Sequence, residues 1–167
     1  MLPHLCLCLG FLFFGHHDKK PKPTTAEVEF VRVWPQYRDE GMFKRISEYF
    51  SNRENPGSYQ LRRSEPTQRS GYYFLARVRH PDVSLEGAHF ELRVVMPDDP
   101  APKPPYRFRA ETGPGEQVFL IGLTGKDWPG PHVHPVAWRL DLVAGDGHPL
   151  AWAQSFLWSK PGAVPTS

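Results

Sequence analysis

Cysteine is nearly missing from this chain: Cys6 and Cys8 are the only two, and both lie inside the first apolar run. Everything after that run therefore has no disulfide, no thiol nucleophile and no cysteine metal ligand. Long hydrophobic stretches are scarce as well. Residues 2–14, LPHLCLCLGFLFF, are almost uniformly apolar, yet they fall short of the about 20 residues a helix needs to cross a hydrocarbon core. Surplus charge is equally absent. The formal net charge of +2 comes from Lys19, Lys20 and Lys22 against Asp18, and the chain from Ala26 on holds 17 basic and 17 acidic residues. A nucleic-acid binder displaces counterions with a basic excess, so nucleic acid is not an expected partner.

The motifs of common chemistry are missing too. There is no Gly-x-Ser-x-Gly elbow, no metalloprotease histidine helix and no calcium loop. Residues 122–127, GLTGKD, lack the spacing of a phosphate-cradling loop and place Asp127 where a Ser or Thr must hold magnesium. No cofactor is expected.

What the chain has is punctuation: 19 prolines and 14 glycines among 167 residues, which suits short strands joined by turns rather than a helical bundle. The clearest pattern runs from Pro135 to Trp158. Val136, Trp138, Leu140 and Leu142 share one parity while Arg139 and Asp141 take the other, the period-two mark of a strand with one dry face. After the turn 144–147, Leu150, Trp152, Phe156 and Trp158 share a parity and are expected on that same face, with Gln154 the one polar interruption. A hairpin with so much apolar area needs a second sheet, because burying each large side chain is worth about 1.5–3 kcal/mol.

Upstream, 27–34 reads as a first strand that Pro35 ends, with Val28, Phe30 and Trp34 inward. Asp39 caps a helix expected over 39–51, where Met42, Phe43, Ile46, Tyr49 and Phe50 form one stripe. Further strands are expected over 58–63, 71–80, 88–96, 106–110 and 118–123. The fold predicted is mainly β: an antiparallel β-sandwich of about seven strands with one packed α-helix near the N-terminus. Residues 1–15 read as a signal-like leader without its basic beginning, 16–25 as a charged Pro/Lys linker, 26–160 as one domain and 161–167 as a disordered tail. The leader implies export to the periplasm or cell envelope.

The hairpin AWRLDLVAGDGHPLAWAQSF, with its Trp-Arg strand, Asp-Gly turn and small-aromatic strand, resembles the closing hairpin of immunoglobulin-like domains in bacterial envelope proteins. The segments FKRISEYF and RSGYYFL also resemble parts of exported bacterial proteins. The resemblance implies an immunoglobulin-like sandwich and says little about activity.

Three sets of residues are candidates for function. Arg77 and Arg79, beside Arg93, Arg107 and Arg109, would offer one cationic face to an acidic partner, against the alternative that they only solvate a sheet and keep its edges from pairing. Trp128 would stack on a sugar or a protein, against the alternative that it folds back to plug the end of the sandwich. His132 and His134 would share a metal if Asp127 or His148 closed the site. The leading expectation is a non-enzymatic binding or assembly module of the cell envelope whose partner is a protein or another envelope component. A small-ligand or carbohydrate-recognition domain using the Trp128 loop is second, and a metal-dependent enzyme through His132 and His134 is third.

Overall fold

A computed structural model describes residues 28–44, 48, 53–80, 85–101 and 103–159. The leader 1–15, the linker 16–25 and the tail 161–167 lie outside the described residues. Among the described residues, eight strands form two four-stranded sheets. They are β1 (Glu29–Arg38), β2 (Gln60–Arg63), β3 (Gly71–His80), β4 (His89–Val95), β5 (Tyr106–Arg109), β6 (Gly115–Thr124), β7 (Ala137–Val143) and β8 (Pro149–Gln154). One sheet has the order β1-β3-β6-β2 and the other β5-β4-β7-β8. All pairings are antiparallel except that of β2 with β6, which is parallel.

The strands follow from alternation. On β3, Tyr72, Phe74, Ala76 and Val78 are buried while Arg77 and Arg79 are exposed. On β4 and β7, Phe90, Leu92, Leu140 and Leu142 answer them from the opposite sheet, and these side chains share one core with Phe119, Ile121 and Leu123 of β6. Phe90 meets Phe119 edge to face at 4.8 Å, and Trp138 meets Phe74 at 5.4 Å. Two layers thus bury one apolar face each.

Pro35 does not end β1, which runs on to Arg38. A proline lacks the N–H of a ladder, but β1 is an edge strand, where one side of the backbone has no neighbour to pair with. Of the helix expected over 39–51, the described residues show a 3-10 turn at its start and a helical Glu48. Asp39 accepts a bond from the Met42 amide at 3.1 Å, a 3-10 turn spans Glu40–Phe43, and Lys44 returns to extended backbone. Residues 45–47 and 49–52 lie outside the described residues.

The outer face of the first sheet carries a second apolar cluster, in which Phe43, Tyr73 and Leu120 are buried against Tyr59, Leu61 and Leu75. Tyr73 pairs across strands with Gly122, and a Cβ on Gly122 would stand 2.3 Å from its ring. The ring thus lies where only glycine leaves room. Its hydroxyl donates to the Arg69 carbonyl at 2.6 Å and accepts from Arg63 Nε at 2.7 Å, while Arg63 grips Glu54 with both terminal nitrogens.

Two bulges decide what the edges present. The β1–β3 register shifts between Phe30 and Arg32, so Val33 rather than Arg32 follows Phe30 inward and Trp34 turns out. The β7–β8 register shifts between Leu142 and Val143, where Leu142 pairs Ala151 and Val143 pairs Pro149. Leu150 is the extra residue. It packs on the core together with Ala151, and Trp152 faces outward opposite Asp141. The hairpin's second arm therefore does not place Leu150, Trp152 and Phe156 on one dry face, because the bulge resets the alternation.

Candidate functional site

The expected continuous arginine face is split between the two sheets. Arg77 and Arg79 stand on the outer face of the β1-β3-β6-β2 sheet, where Arg79 pairs with Glu29 at 2.6 Å and Glu116 lies 3.5 Å from Arg77. Arg93, Arg107 and Arg109 belong to the other sheet. The reason is topological: these strands all alternate Arg with apolar residues, but β3 belongs to one sheet and β4 and β5 to the other, so their outward faces point away from each other.

On the outer face of the β5-β4-β7-β8 sheet, opposite, diagonal and same-strand neighbours form a lattice of ion pairs. Glu91 takes Arg107 at 2.9 Å and Arg93 at 3.0 Å, and Asp141 takes Arg93 at 2.9 Å and Arg139 at 2.8 Å. Burial works against the Glu91 carboxylate, but the hydrogen bond and charge of Arg107, with Arg93 and His89, outweigh it and hold its pKa below the ordinary value. Each carboxylate meets two guanidinium groups, an arrangement that fixes a sheet surface, and the lowered pKa leaves Glu91 unsuited to trade a proton near neutral pH.

Trp128 is buried and stacks on Tyr72 at 4.5 Å, with its indole N–H donated to the Gly130 carbonyl at 2.9 Å. Both faces of its chemistry are used inside the domain, so it does not present a ring to solvent. His132 and His134 are exposed, and His134 meets Tyr72 edge to face at 5.8 Å. Among the described residues no group of three or more His, Cys, Asp or Glu side chains gathers in a way that would hold a metal ion. His148 instead contacts Asp146 within its own turn at 2.5 Å.

The loop from Asp127 to Val133 does border a hollow of about 410 Å³, with Val94, Met96 and Val133 as apolar lining and Asp98, Asp127 and Tyr106 as polar lining. Burial and then the Asp127 charge raise the Tyr106 phenol above its ordinary pKa, which keeps it a hydrogen-bond donor at neutral pH. Two lysines at the rim are already tied, Lys103 to Asp99 at 2.7 Å and Lys126 to Glu65 at 2.9 Å.

Several exposed large apolar side chains lie on the elements at one seam, while Met42, 62% exposed, stands in the turn after β1. β1 and β8, the edge strands of the two sheets, lie side by side. Trp34 on β1 is 52% exposed, Trp152 on β8 is 58% exposed, and Phe156, in the 3-10 turn Phe156–Ser159 that follows β8, is 77% exposed. Each tryptophan is braced by a guanidinium: Arg32 lies 4.3 Å from the Trp34 ring and Arg139 lies 5.1 Å from the Trp152 ring. These residues were missed from the sequence because plain alternation assigns both tryptophans inward. A bulge inside each edge strand reverses that, and neither has a glycine to announce it.

Comparison with known proteins finds no matching family model, no similar curated protein and no similar solved structure. Among the described residues no helix is long and apolar enough to cross a membrane.

Proposed function

We propose that this chain is a non-enzymatic binding or assembly module of the bacterial cell envelope, with an immunoglobulin-like sandwich as its scaffold, and that it meets a protein partner along the β1/β8 seam. The observation that carries the reading is the pair of bulges that turn Trp34 and Trp152 outward on either side of the seam, one from each sheet. Bulges at sheet edges re-aim side chains, and an aromatic ring offers about 150–250 Å² to an interface. Tryptophan is the residue most enriched among the anchors that dominate binding energy. Both rings stand on strands and rest on arginines, so little motion is left to lose on docking. The apolar leader 2–14 supports export, and the resemblance of the closing hairpin supports the immunoglobulin-like assignment.

The test is site-specific photo-cross-linking in the cells that make the protein, with a benzophenone side chain placed at position 152, at position 156 or, as a control, at Arg77. A discrete adduct from 152 and 156, absent from Arg77 and lost when Trp34 is also changed to Ser, supports the reading. Adducts from Arg77 alone would contradict it.

The hollow beside the Asp127 loop favours a second reading, recognition of a small polyhydroxylated ligand. Asp98, Asp127 and Tyr106 would bond hydroxyl groups over the Val94, Met96 and Val133 lining. A panel of soluble glycans titrated by calorimetry, with Asp127→Asn abolishing the heat, tests it.

A further inference from the structure

The opposite seam, between β2 and β5, has a different chemistry. These are the other two edge strands of the sheets, and both are only four residues long. Arg62 of β2 reaches across, donating from Nε to the Arg109 carbonyl at 2.9 Å and from Nη1 to its neighbour's carbonyl on Leu61 at 3.0 Å. An open cleft of about 570 Å³ lies along this contact, with Arg62, Arg63, Arg107 and Arg109 against the single acid Glu111, and Arg63 is held by Glu54. Arg107 is spoken for by Glu91. Among the described residues, neither Arg62 nor Arg109 has a carboxylate within salt-bridge distance. Burial and the nearby Arg109 charge both disfavour the Arg62 cation, with Glu111 only partly relieving it. Two like charges are thus held together in a cleft on a body whose charge balances overall.

The ladder tells which backbone groups of β5 face that cleft. Ala110 donates to the Ala88 carbonyl at 2.9 Å, which makes Ala88 and Ala110 a hydrogen-bonded pair. Antiparallel pairs alternate, so Phe90 and Phe108 turn their main-chain groups toward each other. Arg107 and Arg109 turn theirs away from β4, as the bond from Arg62 to the Arg109 carbonyl requires.

We propose that the β2/β5 seam takes an extended acidic segment of a protein partner, which adds as a strand to β5 through the outward amide and carbonyl of Arg107 and the amide of Arg109, with its carboxylates on Arg62 and Arg109. Two observations select a peptide over a polyanion. Only two guanidinium groups are left over, too few to track a phosphate polymer, and the outward main-chain groups of β5 are matched by another strand. The site is separate from the aromatic seam and stands or falls independently of it.

The experiment is a fluorescence-anisotropy titration of the full chain with a labelled peptide of alternating Glu and Val, at low and at physiological salt. Binding is expected to weaken about tenfold or more with Arg109→Glu, the loss of one charge-assisted bond and the gain of a repulsion. A peptide N-methylated on alternate residues, which keeps every carboxylate and loses strand donors, should weaken comparably, and hydrogen exchange at the Arg107 and Arg109 amides should slow on adding the unmodified peptide. Trp152→Ser should leave the affinity unchanged. Absence of peptide binding would overturn the proposal, as would equal binding by the N-methylated peptide or by the Arg109→Glu protein. Inorganic polyphosphate binding more tightly than the peptide would also overturn it, by showing that charge alone is read.

Discussion

Replacing Gly122 by Ala is expected to be among the most damaging single methyl additions in the domain. The residue sits in β6 opposite Tyr73 in ordinary strand backbone, so no special backbone angle is at stake. What matters is space. The new Cβ would stand 2.3 Å from Tyr73 Cε1 and 2.7 Å from Cδ1, where carbon atoms settle at about 3.5–4.0 Å. The ring must retreat by about 1 Å. It has nowhere to go, since Tyr73 is fully buried, rests against Phe43 at 4.9 Å, and is held at its hydroxyl by both Arg63 and the Arg69 carbonyl. Overpacking of this kind costs about 1–3 kcal/mol, and straining the hydroxyl bonds places Gly122→Ala at the upper end, about 3 kcal/mol, or a drop of about 10 °C in Tm for a domain of this size. The assay is urea unfolding followed by tryptophan fluorescence, run as a double-mutant cycle with Tyr73→Ala. Removing the ring should remove most of the penalty. If Gly122→Ala costs the same in both backgrounds, or under 1 kcal/mol in the parent, the packing argument is refuted.

The remaining predictions concern charge, burial and metal. Hydrogen bonding to Arg63 is the main reason the Glu54 carboxyl is held below its ordinary value of 4.5, with the Arg63 and Arg69 charges adding to it against burial. A depressed folded pKa means that this contribution is fully present above about pH 4.5 and is lost as pH falls through the folded value, so Glu54→Gln should lower stability at pH 7 and flatten the acid limb of a stability-against-pH curve. Trp128→Ala should cost about 3–5 kcal/mol by urea unfolding, as a buried aromatic stacked on Tyr72. Trp152→Ser should change stability by only about 0.5 kcal/mol, because the ring is already in solvent. Protein incubated with zinc and desalted should retain no stoichiometric metal by elemental analysis, since His132 and His134 have no third ligand among the described residues.

Much of this fold was legible because its central strands obey one rule. The inward positions of β3 and β4 are apolar at every second residue, and their expected spans differ from those observed by a residue or less at each end. What failed had physical reasons. Tyr73 lies on the outward parity and reads as solvent-facing, yet Phe43 and Leu120 bury it; that cover comes from a distant segment, which alternation along one strand does not encode. Pro35 read as a terminus because its place at a sheet edge is a property of the topology. Arg77 and Arg107 look alike in sequence and stand on opposite outer faces. The exposed tryptophans were hidden most thoroughly, because one inserted residue in each edge strand inverts every parity beyond it. Of the candidate arginines, Arg107 and Arg109 line one cleft together.

Hydroxyl-radical footprinting of the protein in intact cells, against the purified chain, bears most directly on the claim that a partner covers the β1/β8 seam. The account predicts that Trp34, Trp152 and Phe156 are oxidised readily in the purified protein and protected in cells, while exposed Met42 reacts alike in both. Equal oxidation of the two tryptophans in both settings would contradict it.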